Sequence, residues 1–405
     1  MPVSCEVAIV GAGPVGLALA CALDDAGFST TLIERKARAV LANPPDDGRE
    51  IALTHRAVTV LRRLGLWQRL DSADISCIRA ARVFNGASAG WLGLEAPAAG
   101  TLGHLVPNAA IRKAAFDEAL RRPRVILRDG ATIERIAVGA DEVEIGIGED
   151  ASLRVRLLVA ADGRLSATRR QLGIGAEVRD FGRTVIVCRL AHESPGDGIA
   201  YECFGYGRTL AILPLNDGRV SAVVTIASDR ADALLRMDPQ DFADGVAHQF
   251  CMRFGRMRLL GQRFAYPLVA VYADRFVAHR CALAGDAAVG MHPVTAHGFN
   301  LGLYGVDALQ RTLAQARDGG GDIGSLRALS RYQAGHRQAT RPMYLATNAL
   351  VGLFTDDRPP ARLARAAVLG LAARLPPLRA AVVRGLDDPR VIARPFLRNA
   401  PRFRS

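Results

Sequence analysis

Three glycines, Gly11, Gly13 and Gly16, stand between an apolar strand and an apolar helix, and this arrangement constrains the fold more than any other feature of the sequence. Glu6-Val-Ala-Ile-Val10 reads as a buried strand. The glycines form a tight turn, and Leu17 to Ala26 reads as a helix ended by Gly27. Thr30-Thr-Leu-Ile-Glu34 reads as a second buried strand, so the segment is a βα unit followed by its parallel partner. In such a unit Gly11 permits the turn, Gly13 lets backbone approach a pyrophosphate, and Gly16 lets helix pack on strand. The unpaired N–H groups and positive dipole end of the helix favour phosphate. Glu34 closes the second strand 18 residues after Gly16, where an acid can bind ribose hydroxyls, with Arg35 beside it. A glycine turn without a ligand is the bland alternative, and the full strand–turn–helix–strand context speaks against it. The motif alone does not separate one dinucleotide from another.

Two later segments narrow the choice. Asp162-Gly163-Arg164-Leu165-Ser166-Ala167-Thr168-Arg169 follows one apolar strand. Gly285-Asp286-Ala287-Ala288 follows another, with Pro293, Gly298 and Asn300-Leu301-Gly302-Leu303 after it. An acid at a strand end beside a helix start can accept sugar hydroxyls, and glycines at 298 and 302 let backbone approach a flat ring.

Between these corners, residues 37–49 read as a polar loop around Pro44-Pro45, and Ala52 to Arg69 as a helix broken near Gly65. Residues 84–103 show little periodicity, and Asn108 to Arg121 reads as helix. Val125–Leu127, Ile133–Val138, Val143–Ile147 and Leu153–Val159 read as a four-strand meander. Thr184–Leu190, Ala200–Phe204, Thr209–Pro214 and Val220–Ile226 alternate or are β-rich, as an antiparallel sheet requires, with a helix from Asp241 to Arg253 over it. A long helix is expected from about Gly298. Residues 325–385 read as helical, punctuated at Pro342, Pro359-Pro360 and Pro376-Pro377. The expected architecture is α/β. A discontinuous Rossmann-like domain takes 1–75, 100–178 and 270–345, an inserted, mainly antiparallel β-sheet substrate domain takes 76–99 and 179–269, and a basic helical region takes 346–405.

In order and spacing the three motifs resemble the class A aromatic-ring flavoprotein hydroxylases, the single-component family that includes 4-hydroxybenzoate hydroxylase, over roughly residues 5–345. The resemblance implies an FAD-binding domain of the GR2 type, FAD as cofactor and NAD(P)H as electron donor. It implies that the glycine turn holds the ADP half, that Gly285-Asp286 serves the ribityl chain, and that backbone near Phe299 and Asn300 faces the flavin pyrimidine edge. Asp162 would be largely structural, with Arg169 a candidate for nicotinamide-nucleotide phosphates. Arg49 matches the family arginine near the FAD pyrophosphate, and Asn108 and Arg112 match the segment along the cofactor's middle. The reaction implied is reduction of FAD by NAD(P)H, uptake of O₂, and transfer of one oxygen atom from a C4a-hydroperoxide to an electron-rich ring. No protein nucleophile is needed. No catalytic residue is identified; Pro293 and His297 are the candidates near the flavin, and Tyr201, Tyr206 and His292 are possible polar liners.

Within the family the wording is most similar to the ubiquinone-biosynthesis hydroxylases. The residues that carry this are Arg49-Glu-Ile-Ala-Leu53, Leu61-Arg-Arg-Leu-Gly-Leu-Trp67 and His292-Pro-Val-Thr-Ala-His-Gly-Phe-Asn-Leu-Gly-Leu303, the last like the demethoxyubiquinol hydroxylase branch. An aromatic, polyprenylated substrate is implied. Three positions depart from the family pattern. Val289 stands where histidine is usual, Ala296-His297-Gly298 where Gly-Gln-Gly is usual, and Tyr304-Gly305 where Arg-Asp is usual. His297 fits either a flavin-tuning role or a structural replacement for glutamine.

Charge bears on partners. The net charge is +12, nearly all from arginine, since Lys36 and Lys113 are the only lysines. Residues 358–405 hold eleven arginines and two acids, Asp387 and Asp388, so most of the excess sits there. A solvated helical surface is the plain reading, and a peripheral membrane or biosynthetic-complex contact is the functional one. No nucleic-acid motif or aromatic interleaving appears. The seven scattered cysteines, without a CxxC pair, argue for a reducing compartment and against a zinc site. With no apolar run near ~20 residues and a strand starting by residue 6, the expected location is cytoplasmic or peripheral on the inner membrane face. Other readings of the fold are a hydroxylase of another phenolic metabolite, a prenyl-chain reductase, a halogenase, which Trp67 and Trp91 do not suit, and a flavin-binding or inactive scaffold subunit.

Overall fold

A computed structural model describes residues 5–85, 91–96, 100–148, 151–205, 207–291 and 297–355, with positions 358, 360, 361, 364, 365, 367 and 368 beyond them. Strand β1 (Cys5–Val10) enters the glycine turn and helix α1 (Pro14–Asp25) leaves it. Pro14 opens α1 where no backbone N–H is needed. Gly16, Ala18, Ala20 and Ala22 are all buried, so this helix lies close against the sheet. Next come β2 (Thr30–Ile33), α2 (Arg38–Ala42), β3 (Glu50–Leu53), α3 (His55–Arg63), β4 (Ser76–Ile78), β5 (Ala80–Asn85), β6 (Trp91–Glu95), β7 (Gly103–Pro107) and α4 (Asn108–Ala119). Then follow β8 (Val125–Arg128), β9 (Ile133–Val138), β10 (Val143–Ile147), β11 (Ala151–Ala160), α5 (Ala167–Gln171), β12 (Ala176–His192), β13 (Ile199–Phe204), β14 (Arg208–Pro214) and β15 (Arg219–Ala227). The chain continues through α6 (Ala231–Arg236), α7 (Pro239–Gln249), β16 (Met257–Ala273), β17 (Val277–Ala278), β18 (Cys281–Leu283), β19 (Val289–Gly290), α8 (Gly298–Asp318) and α9 (Leu326–Thr355).

The first sheet runs β17-β18-β11-β1-β2-β8, and every pair from β18 to β8 is parallel. Val7 and Ile9 of β1 face the helical layer of α1, α4 and α8. Ala8 and Val10 face the β9–β10 layer, which continues the sheet from β11. This two-sided burial is why the strands read as unbroken apolar runs. Hydrogen bonding continues past the strands into the motifs: Gly11 N donates to Ile33 O, Ala161 N to Val10 O and Ala284 N to Ala160 O, each at 2.8 Å. The glycine turn, the Asp162 segment, the Asp286 segment and Glu34 therefore all leave the same carboxyl edge, where open α/β sheets bind ligands.

The second sheet runs β19-β16-β12-β15-β14-β13-β5-β6 and is antiparallel except between β13 and β5. Helices α6 and α7 lie on one face, where Phe242, Ala243 and Val246 meet Ile186, Leu210 and Val224. A three-stranded sheet, β3-β7-β4, sits between the two. The chain passes from it to the second sheet between Ile78 and Ala80, a few residues after the expected boundary at 75/76.

Several elements differ from what the sequence spacing predicts. Val125–Arg128 does not belong to a meander; it pairs parallel with β2 at the sheet edge. The helix expected from Ala52 starts at His55, because Glu50–Leu53 is recruited as a strand by β7, and Thr54 caps the helix by accepting from Ala57 N at 3.2 Å. The polar loop 37–49 contains α2. The sheet insertion includes the 17-residue β16, which was not foreseen and which crosses the expected boundary at 270. Pro342 does not interrupt α9, which runs through the expected boundary at 345. Proline inside a helix costs one backbone bond, which tertiary packing of Met343 and Tyr344 outweighs here. Most of 358–405, including Pro376-Pro377, lies outside the described residues.

Candidate active site

The three corners interlock through missing side chains. Gly11 has φ +104°, and a Cβ there would lie 2.6 Å from the Ala161 carbonyl oxygen and 2.9 Å from Asp162 Cα. Its glycine is thus demanded by the second corner. A Cβ on Gly16 would sit 2.0 Å from Gly11 O, which fixes the helix on its own turn. Val15 reaches the third corner: a Cβ on Gly285 would meet it at 3.0 Å and one on Gly302 at 2.7 Å. Gly13 differs. Its φ of −71° suits any residue, and a Cβ there would meet nothing within 4 Å. The protein supplies no steric reason for glycine at 13, whereas a pyrophosphate at the α1 N-terminus would. The residues present therefore fit the dinucleotide cofactor the sequence implies.

Glu34 is half-buried and holds the turn, accepting from Ala12 N at 2.8 Å and from Lys36 N at 3.0 Å. Arg35 is exposed next to it. On the loop before β3, Asp47 accepts from Arg49 Nη2 at 2.6 Å and from Asn108 Nδ2 at 2.7 Å. Burial would raise the Asp47 carboxyl; the hydrogen bonds and charge of Arg49 outweigh it and hold that carboxyl below its ordinary value. Tyr266 donates to Asp47 O at 2.7 Å and lies under the Arg49 guanidinium, 5.2 Å from its ring centre. Arg49, Asn108 and Asp47 form one fixed unit between the two sheets. Arg112, one turn further along α4, is half-buried and has no hydrogen-bond or ion-pair partner among the described residues.

The second and third corners are tied by arginines. Asp162 is used up locally, accepting from the Ser166 hydroxyl and from Thr168 N at 3.0 Å, and so holds the N-cap Ser166 at the start of α5. Arg164, quoted only as part of the motif in the sequence, bridges to the third corner: it donates to Asp286 Oδ2 at 3.2 Å, Met291 O at 3.3 Å and Val269 O at 2.6 Å. Arg169 is 4% exposed and donates to Ala287 O at 2.9 Å and Arg164 O at 3.2 Å. Burial lowers its pKa. In this position it braces the Asp286 turn and does not face outward toward a second nucleotide. Asp286 stands beside the start of α8, its Oδ1 3.9 Å from where a Gly298 Cβ would be.

At that helix start, Asn300 accepts from Thr54 N at 3.1 Å and donates to Ala52 O at 2.8 Å, clamping α8 to the β3–α3 junction. Phe299 is half-buried against the main core. His297 is 4% exposed at the N-cap of α8. Pro293, Ala296 and His292 lie outside the described residues. The departures at the other positions have packing reasons. Val289 is 2% exposed and pairs with Tyr272, joining β19 to β16. Tyr304 stacks on His336, and a Cβ on Gly305 would lie 2.9 Å from that imidazole, so Gly305 makes room for His336. The next acid, Asp307, pairs with Arg63 and Arg311 at 2.7 Å.

The second sheet turns toward this corner the face opposite α6 and α7, which the end of α9 meets only at Phe204 among the described aromatic contacts. Gly48 packs there: a Cβ would meet Phe264 at 2.4 Å and Val187 at 3.2 Å. Tyr201, a possible liner in the sequence, points the other way. It is 1% exposed, packs edge-to-face in the core with Phe250 and Phe254, and donates to Asp197. Strand alternation explains this, since Ile199, Tyr201 and Cys203 share the face under α7. Tyr206 lies outside the described residues.

Comparison with known proteins agrees with this geometry. The family described as FAD binding domain matches residues 4–341. The ubiquinone hydroxylase UbiM of Neisseria meningitidis is 40% identical over 392 residues, covering 95% of this chain and 85% of the relative. The ubiquinone hydroxylase UbiL of Rhodospirillum rubrum is 36% identical, covering 92% and 87%. The 3-demethoxyubiquinol 3-hydroxylase of Escherichia coli is 30% identical, covering 89% and 92%, a lower identity than to either ubiquinone hydroxylase. The crystal structure of p-nitrophenol 4-monooxygenase from Pseudomonas putida superposes with a TM-score of 0.75 at 18% identity, covering 96% of this chain and 99% of that one, which bears on the fold.

Proposed function

Because this chain belongs to the FAD binding domain family and is 40% identical to a ubiquinone hydroxylase, we propose that it hydroxylates the aromatic ring of a polyprenylated phenol or quinol on the route to ubiquinone. It is an FAD-dependent monooxygenase. FAD, with NAD(P)H as donor and O₂ as co-substrate, supplies the oxygen-transfer chemistry when bound.

The chain's part is to bind, orient and exclude water. In this reading the Gly11–Gly16 turn and the α1 N-terminus hold the pyrophosphate, and Glu34 with Arg35 lies at the ribose end. Arg49, Asn108 and Arg112 line the cofactor's middle, and Asp286 takes the ribityl hydroxyls. N–H groups of the first α8 turn, at Gly298, Phe299 and Asn300, face the pyrimidine edge. Asp162 and Arg169 act by bracing the third corner. The two sheets divide the work between a discontinuous FAD-binding domain and a substrate domain. The basic 358–405 stretch docks the enzyme on an anionic membrane or a biosynthetic complex, a role supported by its sequence charge. Among the described residues, no helix is long and apolar enough to cross a membrane.

One observation carries the reading: three corners, far apart in the chain, close on one sheet edge around an open Gly13. The test is purification followed by turnover in ¹⁸O₂ with a prenylated phenol. A yellow protein that oxidises NAD(P)H in response to the phenol and places ¹⁸O on its ring supports the hydroxylase. A colourless protein that binds partners and restores no ubiquinone intermediate in hydroxylase-deficient cells points to a scaffold subunit.

A further inference from the structure

Strand alternation sets one carboxylate on the substrate side of the second sheet. Cross-strand neighbours share a face. The register reads Val83 opposite Glu202, Glu202 opposite Ala211, Ala211 opposite Val223, Val223 opposite Val187, and Val187 opposite Phe264. This row starts under Gly48, in the loop that carries Arg49, and runs outward across β12, β15, β14 and β13. From β15 to β13 it covers roughly 10 Å at ~4.8 Å per strand, about the width of a substituted aromatic ring. Every residue of the row except Glu202 is apolar.

Glu202 is half-buried and has no hydrogen-bond or ion-pair partner among the described residues. A carboxyl group in such a place without a partner is costly unless a ligand or a proton satisfies it. The groups around it offer no charge. Val83 and Ala211 are opposite, Ala200 and Phe204 flank it on β13, and Asn85 and Thr209 are diagonal. Phe204 meets Phe354 of α9 at 4.0 Å between ring centres, and Arg365 lies over Phe354. On the same face Arg189 is committed to Glu50 and Asp46. Arg82, on β5, lies with Tyr201 and Trp91 on the other side.

We propose that Glu202 contacts the substrate: its carboxylate accepts a hydrogen bond from the ring hydroxyl and takes that proton as oxygen is transferred. The ring O–H bond breaks, an O–H bond forms on Glu202, and the electron pair stays on the ring oxygen, where it enriches the ring. No oxidant beyond the O₂ of the proposed reaction is needed, and the proton leaves to water after the product. Burial pushes the Glu202 carboxyl up to about 8, so its base form appears near the working pH, as general base catalysis requires. This assignment rests on the hydroxylase reading.

The full-length, FAD-loaded protein is tested with 2-prenylphenol and its methyl ether, as wild type, Glu202→Gln and Glu202→Leu. In the wild type the phenol binds at least ~10-fold tighter than the ether, read by perturbation of flavin absorbance, and kcat rises with pH through about 8. Glu202→Gln lowers kcat roughly 100-fold with unchanged FAD content and removes that rise; Glu202→Leu also erases the preference for the phenol. Equal binding of phenol and ether by the wild type, or wild-type turnover and pH profile in Glu202→Gln, overturns the assignment. A wild type that prefers the phenol but places no oxygen on it sinks the hydroxylase reading and leaves the Glu202 contact standing.

Discussion

In the proposed function the two sheets meet their ligands with different parts of the chain. At the carboxyl edge of the parallel sheet, recognition is by backbone: glycines remove side chains so that corners can touch one another and leave N–H groups open. On the antiparallel sheet, that function would rest on side chains that alternate across a flat wall, where one residue of shift changes the face, as Tyr201 and Glu202 show. A shared cofactor suits the first solution, and a substrate that differs between relatives suits the second.

The largest expected effect tests the backbone half. Gly11→Ala would place a methyl group 2.6 Å from a carbonyl oxygen at φ +104°, a cost of at least ~4 kcal/mol from clash and strain together. The protein should lose its flavin and much of its thermal stability, both read in one absorbance-monitored melt.

Next comes a pH contrast between the sheets. His336, packed beneath Gly305 and between Tyr304 and Tyr332, is 1% exposed, and burial pushes its pKa from 6.5 down to about 4. The unfolded chain then binds more protons between those values. Stability present above 6.5 is lost as pH falls toward 4, by about 3 kcal/mol in all. His336→Phe should flatten that acid limb in denaturant titrations, whatever its effect at pH 7. Cutting the link between the second and third corners should cost less. Arg164→Ala removes a charge-assisted contact to Asp286 and two carbonyl contacts, worth about 2 kcal/mol, and should weaken FAD binding as Asp286 is released. A further effect, at least as large as that of His336 over its whole window, has the opposite pH sign. Glu202, raised from 4.5 to about 8, contributes stability below 4.5 that is lost as pH rises through 8. Glu202→Gln should remove the fall in stability between 4.5 and about 8, leaving the part of the His336 limb below 4.5 unchanged.

The sequence made the backbone half readable. Gly11, Gly16, Asp162 and Asp286 stand in short segments whose spacing reports a strand end, a turn and a helix start, so their place at one edge follows from local signals. What escaped depends on tertiary contact. Asn300 is bound to Ala52 and Thr54, 248 and 246 residues away, and no local pattern announces that clamp. Arg169 was expected to face a nicotinamide nucleotide, yet its guanidinium turns inward to Ala287, because the Asp286 turn leaves a buried carbonyl to satisfy. Arg164 stood in the quoted motif, directly after Asp162-Gly163, and only the approach of β18 to β11 revealed its partner. The face of Glu202 depends on the register of β13 between β14 and β5, the latter a parallel pairing with a strand more than a hundred residues earlier. Alternation in β13 alone is too weak to fix which side is covered by α7, since both faces carry aromatic residues.

In the proposed function the open space at Gly13 is kept for the cofactor. Gly13→Ala, at φ −71° with nothing within 4 Å of the new methyl, tests it most directly. Stripped of flavin, this variant should melt like the stripped wild type, within about 0.5 kcal/mol, while its FAD dissociation constant rises roughly 10- to 100-fold. A variant that binds FAD as tightly as the wild type would contradict the account.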